Sequence, residues 1–152
     1  MATEAIRSTR IRAASVEVPK LLARIEAEGR DAALPEQLVA ELCLCLDELL
    51  NNVIDHAGLG DETTIELNYR LGSDGVAAEI VDPGPPFDPL ARPPVDIDAP
   101  LDARVPGGLG IHFVRTLMDE VAYERRGSHN RLRIAKRRGA GGSPAISSPT
   151  TS

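Results

Sequence analysis

Apolar residues recur near the start of the chain with the spacing of an amphipathic helix. Val18, Leu21, Leu22 and Ile25 stand at positions i, i+3, i+4 and i+7, so they share one face of a helix. Gly29 follows them closely, and glycine commonly ends helices. The pattern therefore predicts a first helix that ends near Gly29.

A second, longer helix is predicted between Pro35 and Gly58, because proline suits the first turn of a helix and glycine its end. Its apolar stripe consists of Leu38, Leu42, Cys45, Leu49 and Val53. Asn52 and His56 fall on or beside this stripe, and Glu48 lies on its flank. Polar groups that face a core need partners. These three side chains therefore require internal hydrogen bonds or a ligand.

Alternation of apolar and polar residues predicts strands in the middle of the chain. Residues 65–69 and 76–80 alternate and are separated by the turn sequence GSDG, so they predict a hairpin. Its second strand is expected to end at Asp82. Scattered apolar residues between 4 and 14 predict an earlier strand.

A proline-rich loop is predicted next, because residues 83–107 contain eight of the twelve prolines. Loops of this length in compact domains are commonly functional. A third helix is expected to open with Gly107-Gly108-Leu109-Gly110. Its predicted inner face carries Ile111, Val114, Met118 and Val121. A last hairpin is predicted from residues 121–126 and 131–136, with a turn at 127–130.

Composition narrows the class of protein. The 152 residues suit one domain, predicted at 1–137, with a disordered tail at 138–152. A net charge of −6 and an aromatic content of 3% argue against a nucleic-acid binder. Without a long apolar run, we expect neither export nor a membrane segment. Cys43 and Cys45 point in different directions from a helix, which indicates buried thiols in a reducing cytoplasm.

The second helix offers chemistry for phosphoryl transfer. Glu48 and Asn52 are four residues apart, so their side chains point the same way. An amide oxygen such as that of Asn52 is a hard ligand that suits Mg²⁺, which usually takes few protein ligands. Glu48 would then be placed to act as a general base. A helix with solvated or capping Glu and Asn side chains is the alternative for this spacing alone.

The end of the first hairpin and the start of the third helix offer a nucleotide site. Asp82 can accept a hydrogen bond from the amino group of adenine, whereas guanine presents an acceptor there; an ordinary turn is the alternative. Glycines at a helix start let phosphates approach the backbone N–H groups. His56 is either a core histidine or a nucleotide contact. Arg104 is either an exposed loop cation or a ligand of the terminal phosphate.

In their order and spacing, these segments resemble the GHKL ATPase superfamily. Within it, they are similar to the anti-sigma-factor serine/threonine protein kinases of the RsbW and SpoIIAB type. The resemblance covers residues 5–137. The N box reads DELLNNVIDHA, the first glycine box DPGPPFDP, and the second PGGLGIHFVRTLMDEVAYE. The phrases PFDP and LMDEV are characteristic of this subfamily.

The resemblance implies a Bergerat-type ATP-binding fold: an α/β two-layer sandwich in which a mixed, mainly antiparallel sheet carries helices on one face. It implies that Glu48 activates the substrate hydroxyl and that Asn52 holds Mg²⁺. It also implies that Asp82 contacts adenine, with Gly84 making room for the base. The remaining implied or candidate ATP-binding residues are His56, Arg104, Gly107, Gly108 and Gly110.

The implied activity is transfer of the ATP γ-phosphate to a Ser or Thr of an anti-sigma-factor antagonist. A sigma factor is a second implied partner, and many such kinases are dimers. Two alternatives stay open: an ATP-controlled switch that sequesters a regulator without phosphorylating it, and a detached histidine-kinase catalytic domain. Asp55 departs from the family pattern, because an inward-facing acid there would repel phosphates. The proposed lid, residues 85–106, is short and proline-rich.

Overall fold

One antiparallel sheet organises the computed structural model, which describes residues 6–56, 60, 62–91 and 108–139. The described strands run in the order β1-β2-β3-β5-β4. Their bounds are β1 Arg7–Arg12, β2 Thr64–Gly72, β3 Gly75–Asp82, β4 Glu120–Arg126 and β5 His129–Arg137. All four pairings between them are antiparallel. The sequence predicted a mixed, mainly antiparallel sheet, whereas the described sheet is entirely antiparallel.

Three helices complete the described fold, and they cover one face of the sheet. They are α1 Glu17–Asp31, α2 Glu36–His56 and α3 Gly108–Leu117. Ile65, Leu67 and Tyr69 alternate along β2 on the buried face, whereas Glu66 and Asn68 lie on the opposite face. This alternation is what a half-covered antiparallel sheet requires, and it confirms the two-layer sandwich. Among the described residues, no helix is long and apolar enough to cross a membrane.

The central helix α2 lies in the core, against α1, α3 and β3. Leu42, Leu46, Leu49 and Leu50 have no measurable exposure. Burial of a leucine side chain contributes about 1.5–3 kcal/mol, so these four residues hold α2 firmly against the sheet. Asn52 lies in the same buried surface, which confirms that a polar group of this helix faces inward.

Both cysteines are buried free thiols, as the sequence indicated. Burial raises the pKa of Cys43 to about 12 and that of Cys45 to about 11, because an apolar surrounding disfavours the thiolate. Neither thiol is therefore a nucleophile at neutral pH.

The third helix is shorter than its apolar pattern predicts. It ends at Leu117, and Met118 follows with its N–H bonded to the Val114 carbonyl at 2.9 Å. Val121 belongs to β4 and pairs with Ile134, so the prediction that it lies on the helix was wrong. The loop that follows β3 also contains a short 3₁₀ turn at Pro89–Ala91.

Two hairpin glycines provide a matched test of backbone constraint. Gly75 has φ +154°, and a Cβ there would lie 2.5 Å from the Lys136 carbonyl oxygen on the neighbouring strand. Gly127 has φ +60° with no heavy atom within 4 Å of that position. Gly75 therefore carries a steric constraint that Gly127 lacks.

We expect Gly75→Ala to lower the free energy of unfolding by about 3 kcal/mol. This cost is the sum of the backbone strain and of the steric clash with the neighbouring main chain. Gly127→Ala should cost only about 1 kcal/mol, the left-handed backbone penalty alone. Urea unfolding of both variants measures the difference. Equal losses in the two variants would contradict the steric argument.

Candidate functional site

The carboxylate and amide predicted on the second helix contact each other. Asn52 Nδ2 donates a hydrogen bond to Glu48 Oε2 at 3.2 Å. Asn52 is 6% exposed, and Glu48 is half-buried. The Asn52 carbonyl oxygen accepts no hydrogen bond from the described residues. The amide is thus oriented by the acid one turn earlier, with its oxygen left for another partner.

The first turn of α3 packs directly against this pair. A Cβ on Gly110 would lie 1.8 Å from Glu48 Cδ and 2.0 Å from Glu48 Oε2. Any side chain at residue 110 would therefore displace the carboxylate. The first N–H groups of a helix have no partner within the helix and attract negative charge. Gly108 and Gly110 lie in this first turn, so the acid stands beside the start of the helix.

Asp82 ends β3 on the helix-covered face of the sheet and is 2% exposed. The Gly84 N–H donates to Asp82 Oδ1 at 2.8 Å, which closes the Asx turn expected of a D-P-G sequence. The Asn130 side chain donates to the same oxygen at 3.1 Å. Asp82 Oδ2 accepts no hydrogen bond from the described residues. One oxygen thus maintains the turn, and the other is left for a ligand.

Sequence reasoning missed Asn130, which it placed in the last hairpin turn. Asn130 belongs to β5, lies opposite Asp82 in the sheet register and is 3% exposed. Its Nδ2 also donates to the Pro85 carbonyl at 2.8 Å. A signal was present in the sequence: Asn130, Leu132 and Ile134 alternate, so Asn130 falls on the buried face.

Two residues of β4 were also missed. Arg125 Nη1 donates to the Gly84 carbonyl at 2.7 Å, and the Tyr123 hydroxyl donates to Asn130 Oδ1. The Phe87 N–H donates to that same Asn130 oxygen at 3.2 Å. Strands β4 and β5 therefore hold the loop that begins at Gly84.

The structure describes some of the remaining predicted residues and not others. Arg104 and Gly107 lie outside the described residues, as does the side chain of His56, the last residue of α2. Asp55 is exposed, so it does not point into the core. The described part of the loop is tied to α3, because Arg115 Nη2 donates to the Leu90 carbonyl at 2.7 Å.

The geometry forms two clusters of polar groups on the helix-covered side of the sheet. One comprises Glu48, Asn52 and the α3 N-terminus; the other comprises Asp82, Gly84 and Asn130. The first combines a carboxylate, a hard amide oxygen and backbone N–H donors. The second presents a buried acceptor. Among the described residues, no three His, Cys, Asp or Glu side chains cluster as metal ligands.

Two relatives of this chain are both named as protein kinases. The chain is 35% identical over 94 residues to the serine/threonine-protein kinase BtrW of Bordetella bronchiseptica, covering 61% of this chain and 66% of that protein. It is 31% identical over 87 residues to the serine-protein kinase RsbW of Halalkalibacterium halodurans, covering 55% and 53%. The chain thus spans between half and two thirds of the length of these two relatives.

A solved structure shows the same fold. The RsbU and RsbW domains of Rv1364c from Mycobacterium tuberculosis align with a TM-score of 0.62 at 12% identity, covering 88% of this chain and 32% of that one. The family model described as the histidine kinase-like ATPase domain matches residues 11–136, which include both polar clusters. This chain therefore belongs to the histidine kinase-like ATPase domain family.

Proposed function

We propose that this protein is an ATP-dependent serine/threonine protein kinase. One observation carries the proposal: the Glu48 carboxylate is held by Asn52 and packs against Gly110 at the start of α3. A phosphate bound at that helix start would lie beside a carboxylate suited to act as a general base. The names of the two curated relatives, both protein kinases, support the same activity.

Asp82 is proposed to select adenine. Its Oδ1 is occupied by the Gly84 N–H and by Asn130, so Oδ2 is the oxygen available to the exocyclic amino group. A guanine in the same position would place its carbonyl oxygen against a carboxylate oxygen, and neither group can donate.

Asn52 is proposed to hold Mg²⁺. Its carbonyl oxygen accepts no hydrogen bond from the described residues, although the residue is buried. A hard oxygen of this kind, with phosphate oxygens and water, suits that ion. When bound, Mg²⁺ supplies charge neutralisation on the ATP phosphates. The resident residues fit this role, since Glu48 fixes the orientation of the Asn52 amide.

The proposed reaction gives each residue a step. Glu48 accepts the proton of a substrate hydroxyl as that oxygen forms a bond to the γ-phosphorus. The bond from the γ-phosphorus to the β,γ-bridging oxygen breaks, and ADP leaves. The N-terminal turn of α3, at Gly108 and Gly110, binds the phosphates through backbone N–H groups. Gly107, His56 and Arg104 are further proposed ATP-binding residues.

The proposed substrate is an anti-sigma-factor antagonist, phosphorylated on Ser or Thr, and a sigma factor is the proposed second partner. These partners follow from the subfamily phrases in the sequence and from the RsbW-type relatives. A homodimer in the cytoplasm is the proposed form of the protein.

We expect Glu48→Ala to lower phosphotransfer by about 10²- to 10⁴-fold, because the reaction loses its general base. ATP binding should persist, since the phosphates are proposed to bind to backbone N–H groups of α3 and not to the Glu48 side chain. The measurement is transfer of labelled γ-phosphate to an antagonist protein captured from the native cell. Asp47→Ala is the control, because Asp47 is an exposed acid on the same helix.

Equal rates for Glu48→Ala and the unmodified protein would refute the role of Glu48. Nucleotide-dependent capture of the antagonist, without phosphate transfer by the unmodified protein, would instead establish a non-catalytic switch.

ATP should bind at least about 10⁴-fold more tightly than GTP, because sites built around a required hydrogen bond discriminate on this scale. Calorimetry with both nucleotides measures the ratio. Asp82→Asn should reduce it, since the amide nitrogen can take the position of Oδ2 and donate to guanine. Comparable affinity of the unmodified protein for ATP and GTP would contradict adenine selection by Asp82.

Gly110→Ala should lower phosphotransfer by about a hundredfold, because the new methyl group displaces the Glu48 carboxylate and small misplacements have effects of this size. Gly60→Ala is the control, since no heavy atom lies within 4 Å of its Cβ position. The same phosphate-transfer assay compares the two. An unchanged rate in Gly110→Ala would show that Glu48 need not occupy this position.

A further inference from the structure

Asn130 has every hydrogen-bonding group of its side chain occupied. Its two amide hydrogens face Asp82 Oδ1 at 3.1 Å and the Pro85 carbonyl at 2.8 Å. Its oxygen accepts from the Phe87 N–H at 3.2 Å, from Arg125 Nη1 at 3.3 Å and from the Tyr123 hydroxyl. A neutral amide, with two N–H donors and one acceptor oxygen, can make all of these hydrogen bonds. A carboxylate or an apolar side chain would not.

These contacts determine which oxygen of Asp82 is presented to a ligand. The Gly84 N–H and the Asn130 amide both donate to Oδ1, one from the loop and the other from the adjacent strand. Rotation of the carboxylate would break both bonds. A buried donor without an acceptor costs about 1–3 kcal/mol, so the pair holds the carboxylate in one orientation.

The same amide fixes the loop that follows. It bonds the Pro85 carbonyl and the Phe87 N–H, two residues apart in the first glycine box. Arg125 adds a bond from β4 to the Gly84 carbonyl at 2.7 Å. The turn that would pass beside the base therefore depends on a residue of the neighbouring strand β5, more than forty positions later in the sequence.

We propose that Asn130 is a positioning residue for nucleotide selection, which aims Asp82 Oδ2 at the adenine amino group and holds residues 84–87 beside it. This inference rests on the proposed ATP-binding function. Asn130 itself does not contact ATP; it affects ATP binding by holding Asp82 in place.

A purely structural role for Asn130 predicts a different result. General destabilisation of β5 would weaken ATP and GTP binding alike. A positioning role reduces the preference for ATP over GTP, because a rotated Asp82 no longer places an oxygen against the position where adenine has a donor and guanine an acceptor. The ratio of the two affinities therefore separates the two roles.

The experiment measures ATP and GTP affinities by calorimetry for Asn130→Asp and Asn130→Ala, with thermal unfolding of each variant. We expect ATP affinity to fall by about 10- to 100-fold, the equivalent of one buried unsatisfied group, and the ATP preference to fall with it. Asn68→Ala is the matched control: it removes an amide from β2 on the open face of the same sheet, where Asn68 bonds Ser8 and Glu79.

A double-mutant cycle completes the test. If Asn130 acts through Asp82, then Asn130→Ala in the Asp82→Asn background should change the ATP preference by less than about twofold. An additive effect would overturn the inference, as would an unchanged ratio or an equal loss of both nucleotides in the single variants. Absence of ATP binding by the unmodified protein would overturn the proposed function instead, which keeps the two failures distinct.

Discussion

The backbone of α3 approaches α2 at Glu48 only because residue 110 has no side chain. A Cβ at that position would overlap the carboxyl group of Glu48. This close approach brings a proton acceptor beside the first N–H groups of a helix, which have no partner within the helix itself. If α3 lay one side chain farther away, the carboxylate and a bound phosphate would be separated, and neither Asn52 nor the glycines could compensate.

Much of the fold was predictable because its elements have strong periodic patterns. The buried stripe of α2 and the alternation in β2 and β3 follow from local spacing, and the inward position of Asn52 follows from the same stripe. Pairing of strands was harder to predict. Register and direction depend on contacts between distant segments, such as β3 with β5, and local patterns contain no information about them.

Two local errors have physical reasons. Val121 continues the helical spacing of the preceding residues, but it lies in β4, opposite Ile134 in the sheet register. Asn130 ends the sequence Gly127-Ser128-His129-Asn130, whose composition favours a turn. Its partners Asp82 and Pro85 lie more than forty residues away in sequence. The candidate site was thus predictable where residues share one helix, and not where a strand from the far end of the chain completes it.

The burial of both cysteines has a practical consequence. With pKa values of about 12 and about 11, respectively, Cys43 and Cys45 contribute almost no thiolate at neutral pH. A cysteine introduced at exposed Ser128, in the turn two residues before Asn130, would be the preferred target of a maleimide dye. The protein without this change therefore has little thiol reactivity of its own, so a dye signal would report on the segment beside Asn130.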